Sequence, residues 1–255
     1  MKIAVCLKQA PSTTARIQPA ADGKSINLAG VELELSPYDE YALEAALQAK
    51  DKAGGEVVAL SVGAAGAGAV LTHAFAVGAD DALLVQAEGL DAAAAARCAA
   101  AAFKSIQPGL VFCGRQAIDD DLWEFPAVLA ESLGWPHVSA VCALELAADK
   151  ATCRRRVEGG EEVLEVALPA VISCDKGLNE PRSPTLKGRL NAKKKQIAAK
   201  SPAELGLGAE ALKPALEVVS YAPPPEKSPG KIVTAPAPEA AAALVQWLRD
   251  EAKVL

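Results

Sequence analysis

The 255-residue chain is 51% hydrophobic but only 4% aromatic, and it carries a formal net charge of −6. It is long enough to bury a large core, and its acidity argues against general affinity for nucleic acid or acidic membranes. The six cysteines, at 6, 98, 113, 142, 153 and 174, lie mostly inside apolar runs and never as CxxC. Neither a disulfide framework nor a structural metal is expected, and a reducing cytoplasm is the expected home.

Residues 2–7 (KIAVCL) predict a first strand, and Lys8 cuts the run too short for a secretory leader. No stretch reaches the ~18 apolar residues of a membrane span. Segment 11–36 is turn-rich, with ADGKSINL read as a small hairpin or excursion. Pro37 opens a helical pattern with Asp39 and Glu40 in its first turn, ended by Gly54-Gly55. A strand at 56–62, a glycine-rich turn at 63–68 and a helix through AVLTHAFAVGA follow. Then come a strand at 79–86, an Ala-rich helix at 91–107, a strand at 108–114 and a helix ending at Gly134. These repeating units predict parallel strands with right-handed crossovers in a doubly wound sheet.

Beyond Gly134 the pattern changes. VSAVCALELA, KATCRRRVEGG and EEVLEVALPAVISCD alternate as antiparallel strands at the edge of the sheet. A helix start is read at Ser201–Glu204, and a last helix is read in PEAAAALVQWLRDEAKVL. The expected division is an α/β domain over 1–213, with an arm and C-terminal helix over 214–255. The arm (214–236) reads equally as a docking segment or as a linker wrapping its own domain.

In an open parallel sheet a ligand lies beyond the C-terminal strand ends. Lys8–Pro11, Ser61–Gly63 and Cys113–Asp121 occupy those positions, although neither standard phosphate loop is present. Asp119-Asp120-Asp121 admits three readings: helix cap, nucleotide contact or metal ligand. His73 and His137 lie in unrelated settings, and no serine has a nucleophile-elbow context. The residues assemble no acid–base machinery of their own.

Segment 175–200 holds eight Lys/Arg against two acidic residues. Its bland reading is a solvated helix face behind a surface loop. Its sharper reading is a protein-docking surface, with Leu178 as an exposed apolar anchor ringed by Lys176 and Arg182. A nucleic-acid surface is disfavoured because no aromatic is interleaved.

Leu178-Asn179-Glu180-Pro181-Arg182, Pro184-Thr185-Leu186 and Ala192-Lys193-Lys194-Lys195 together resemble the signature of the electron transfer flavoprotein beta subunit family. Ser36–Ala42, Ala76–Asp80 and Gly114–Asp119 resemble further elements of that family, in order and at its spacing over roughly 2–200. The resemblance implies an adenine-nucleotide-binding-like (Rossmann-like) α/β fold and a heterodimer with an alpha subunit that holds most of an FAD. It implies single-electron transfer from flavin-dependent dehydrogenases to a quinone oxidoreductase or another acceptor. The loop matching 175–182 would recognise the dehydrogenase through Leu178, followed by Lys193, Lys194 and Lys195. A second nucleotide, AMP or a bifurcating FAD, would lie at Ala10, Ser61, Val62, Cys113, Gly114, Asp119 and Asp120.

The chain departs from the family where a polar run ending Q-T/V-G holds phosphate. Here the run is Leu122-Trp123-Glu124-Phe125-Pro126. Either Trp123 and Phe125 fill that site, or it takes a differently posed ligand. Ser183 also replaces the usual aromatic. An alternative from another class is a nucleotide-binding regulatory or stress-type α/β domain that dimerises.

Overall fold

The computed structural model describes residues 1–227 and 229–255. In chain order the first half comprises strand β1 (Lys2–Cys6), a short pair β2 (Gln9–Pro11) and β3 (Leu33–Leu35), helix α1 (Pro37–Ala53) and β4 (Glu56–Gly63). It continues through α2 (Gly68–Val77), β5 (Asp81–Gln86), α3 (Ala92–Ile106), β6 (Leu110–Gly114) and α4 (Glu124–Leu133). The second half holds β7 (His137–Leu146), β8 (Lys150–Val157), β9 (Gly160–Ala167), β10 (Ala170–Cys174), α5 (Leu186–Ala192), β11 (Ala198–Lys200) and α6 (Ala237–Asp250).

Nine strands form one sheet in the order β11-β5-β4-β1-β6-β10-β7-β8-β9. Strands from β11 to β7 run parallel, and β8 and β9 complete an antiparallel edge. The winding reverses at β1, which pairs with β4 on one side and β6 on the other. That reversal opens a crevice at the C-terminal strand ends.

Alternation along each central strand builds two cores. Ile3, Val5, Leu110, Phe112 and Ile172 face α1 and α2, while Ala4, Cys6, Val111, Cys113 and Val171 face α3 and α4. α3 starts at Asp91, whose carboxylate accepts the Ala94 N–H at 2.8 Å. Six of its eight buried residues are alanine, the others being Cys98 and Phe103, so small side chains make up most of its buried face. Gly54, Gly78 and Gly134 end α1, α2 and α4 with positive φ, where a Cβ would be strained.

Four expectations from the sequence are corrected. EEVLEVALPAVISCD is two strands: Pro169 cannot donate to a ladder, and the chain then returns as β10 in the centre of the sheet. All five β10 residues are buried, the mark of a parallel strand covered on both faces. β7 is likewise parallel to β10 and antiparallel only to β8. Ser201–Glu204 starts only a 3-10 turn at Ala203–Leu205. Lys193–Lys195, in the segment whose bland reading is a solvated helix face, follow the end of α5 and begin no helix of their own, and the chain runs from them into edge strand β11.

Residues 214–236 carry no helix or strand among the described residues, and α6 buries none of its residues. No described helix is long and apolar enough to cross a membrane.

The small-residue face of α3 carries a prediction. Ala99 is fully buried, so Ala99→Leu should overpack that face and lower the unfolding free energy by about 1–3 kcal/mol in chemical denaturation. Unchanged stability would show that α3 has room to spare.

Candidate functional site

Asp39 sits in the first turn of α1 with its side chain directed back at the strand ends. One carboxylate oxygen accepts the Lys8 N–H at 2.7 Å, and the other accepts the Gly114 N–H at 2.9 Å. A Cβ on Gly114 would run into that carboxylate and into the Tyr38 backbone, so only glycine permits the approach. Burial pushes the Asp39 carboxyl up to about 7 against the two N–H bonds and the nearby Lys8 charge.

Around this pair the structure gathers the residues expected at the crevice. Ala10 lies buried in β2, Ser61 and Val62 close β4, and Cys113 and Gly114 close β6. Asp119 and Asp120 follow on the loop, each 2.8 Å from the Lys8 ammonium. Burial alone would lower the Lys8 pKa, but attraction to Asp119 and the hydrogen bonds to both aspartates raise it. The aspartates therefore do not cap α4; Trp123 stands at its N-cap position without a side-chain cap bond. Burial pushes the Cys113 thiol well above its ordinary range and keeps it protonated. The Ser36 and Ser61 hydroxyls are buried without hydrogen-bonding partners among the described residues.

Arg115, one residue past β6, lies within the expected strand end Cys113–Asp121 without a role of its own there, and is the most connected side chain of the crevice. Its guanidinium lies 4.5 Å from the Tyr38 ring centroid and 4.6 Å from that of Trp123. Nε donates to Gln116 at 2.9 Å, Nη1 to Asp175 at 2.9 Å and Nη2 to the Tyr38 hydroxyl at 2.8 Å. Asp175 begins the 175–185 loop, so Arg115 ties the crevice to that loop. Trp123 remains 49% exposed, whereas Phe125, in the first turn of α4, is partly buried against the core that α3 and α4 cover. The two aromatics of the departing run therefore do different jobs.

The loop lies along α1. Asn179 Nδ2 donates to the Tyr41 carbonyl at 2.9 Å. Arg182 bonds both oxygens of the buried Glu44 carboxylate, at 2.7 and 3.0 Å, and Asp51 at 2.9 Å. Glu180 is exposed and Pro181 half-buried. Leu178 is also half-buried, packed against the hydrophobic core, so its expected exposure is corrected. Arg182, with two carboxylate partners, does not ring it as a free charge.

Lys195 donates to the Ala79 and Asp80 carbonyls at 2.9 and 2.8 Å and lies over the Phe75 ring, while Lys193 and Lys194 are exposed. The apolar side chains that do face solvent are Leu186, 76% exposed, and Leu190, 54% exposed, one turn apart on α5. Thr185, whose hydroxyl accepts the Gly188 N–H at 3.0 Å, caps this helix. A Thr N-cap followed by leucines at i and i+4 between basic residues was the signal available for them.

Asp39 supplies a pH test. An acid whose folded pKa lies above its unfolded value of 3.8 holds its proton longer when folded. It favours folding most below about pH 4, and that contribution is lost as pH rises through about 7. Asp39→Asn should lack this component and, by setting an N–H₂ against a backbone N–H, should cost about 1–3 kcal/mol at neutral pH. Parallel pH–stability curves for the two proteins would refute it.

Comparison with known proteins returns one consistent answer. The family model described as "Electron transfer flavoprotein domain" matches residues 25–205. The "Electron transfer flavoprotein subunit beta" of Syntrophomonas wolfei is 38% identical over 100% of this chain and 98% of its own length. That of Bradyrhizobium diazoefficiens is 36% identical over the whole of both chains. The mitochondrial protein of the same name from Oryza sativa subsp. japonica is 34% identical over the whole of both.

Proposed function

The chain belongs to the electron transfer flavoprotein beta-subunit family, and on that footing we propose how it works. It pairs with an alpha subunit that holds most of the FAD, and this chain supplies a wall of the flavin site. Electrons arrive singly from flavin-dependent dehydrogenases and leave to a quinone oxidoreductase or another acceptor. The chain contributes surfaces and no catalytic side chain.

The observation that carries the reading is the C-terminal segment. α6 buries no residue, and it exposes Leu244, Val245 and Trp247. The arm before it exposes Leu216, Val219 and Ile232. So much unpartnered apolar surface in sequence suits a second subunit. Residues 1–213 then act as the α/β body and 214–255 as the segment that grips the alpha subunit. All six cysteines are free thiols, which supports a reducing, cytoplasmic setting.

The docking surface lies on the 175–195 segment, with its apolar contact moved from Leu178 to α5. Leu186 and Leu190 supply exposed apolar area, surrounded by Lys187, Arg189, Lys193 and Lys194. Basic side chains around an apolar centre steer an acidic partner and hold it briefly. Leu178, Asn179, Pro181 and Arg182 set the loop's shape beneath that contact, and Glu180 lies exposed at its rim.

Two measurements check this. Co-expressed with its alpha partner, the protein should purify as a yellow heterodimer; a colourless homodimer would defeat the assignment. In the heterodimer, Leu186→Ala should slow reduction by the dehydrogenase about tenfold or more with FAD retained, the size of one lost interface anchor. Leu178→Ala should chiefly lower thermal stability. The reverse pattern would restore Leu178 as the anchor.

A further inference from the structure

A nucleotide phosphate at these strand ends would need free N–H donors, a small first helical turn and an available cation. The residues present do not fit it. The first turn of α4 presents the Glu124 carboxylate, and one of its oxygens is already buried without a donor among the described residues. A phosphate there would meet like charge. Phe125, partly buried, packs against the core, and Pro126 has no N–H to offer. Of the two cations, Lys8 is held between Asp119 and Asp120. Arg115 has Tyr38 on one ring contact, Trp123 on another, and all three of its donor nitrogens bonded.

We infer that in this subunit the Tyr38–Arg115–Trp123 stack braces the crevice in place of a second nucleotide, so that the heterodimer holds FAD as its only nucleotide. The inference rests on the functional reading above. It also gives Arg115 a positioning role: through Asp175 the stack fixes the start of the docking loop at the end of β10. A bifurcating flavin, which also brings phosphates to this place, is excluded by the same residues.

The test uses the co-expressed heterodimer. Denaturation followed by mass identification of released nucleotides should yield about one FAD per heterodimer and no AMP, and millimolar AMP should leave the melting temperature unmoved. About one AMP, or a second FAD, per heterodimer would overturn the inference. A complex lacking FAD altogether would instead strike the functional reading. The double variant Glu124→Gln/Pro126→Gly, with FAD retained, should gain AMP-dependent thermal stabilisation. A variant that melts like the parent and still ignores AMP would show that these side chains are not what bars it. Arg115→Gln should speed hydrogen exchange across residues 175–182 severalfold with FAD content unchanged. Unaltered exchange would sink the positioning role.

Discussion

One carboxylate holds the functional end of this molecule together. Asp39 reaches from α1 to the N–H groups that leave β1 and β6, the two strands between which the sheet reverses direction. Parallel strands diverge once their ladder ends, and backbone donors there would otherwise need water or ligand. Asp39 satisfies both donors and fixes the helix to the strand ends in the same contact. The cost is a buried acid, offset by the two N–H bonds and by its place in the first turn of α1. The arrangement also dictates sequence elsewhere: position 114 has to be glycine.

α1 consequently serves two surfaces. Tyr38 and Asp39 shape the crevice, while Tyr41, Glu44 and Asp51 receive the loop that follows β10. The crowded positive charge of 175–200 is smaller in the folded protein than in the sequence. Arg182 and Lys195, though exposed, are bonded to partners on the body of the protein, and Lys187, Lys193 and Lys194 remain exposed around the leucines of α5. Steering by charge depends on the groups left facing solvent. The proposed docking surface is therefore compact and lies on one side of the segment.

The parallel part of the fold was legible because strand, helix and terminator repeat at regular spacing from residue 2 to Gly134. Capping and breaking residues act locally, and local chemistry is what a sequence displays. β10 was misplaced because alternation in the preceding hairpin ran on into it, and its continuous apolar burial depends on what covers it. The crevice residues were legible as strand ends. The Asp39–Gly114, Arg115–Asp175 and Arg182–Glu44 contacts were not, since each joins residues 60 or more apart. For the same reason Leu178 reads as an exposed anchor: nothing in its sequence neighbours tells that it packs against the core.

The pinned loop has a kinetic consequence for a shuttle. With Asn179, Arg182 and Lys195 already bonded to the body of the protein, little chain remains to be frozen when a partner arrives. Encounter would then proceed without a folding step, and the small contact proposed on α5 need not be strong to form. A carrier that must release one protein before it can meet the next gains more from a rigid, weakly adhesive handle than from a tight one. The interior ties of this loop are what let its outer face stay small.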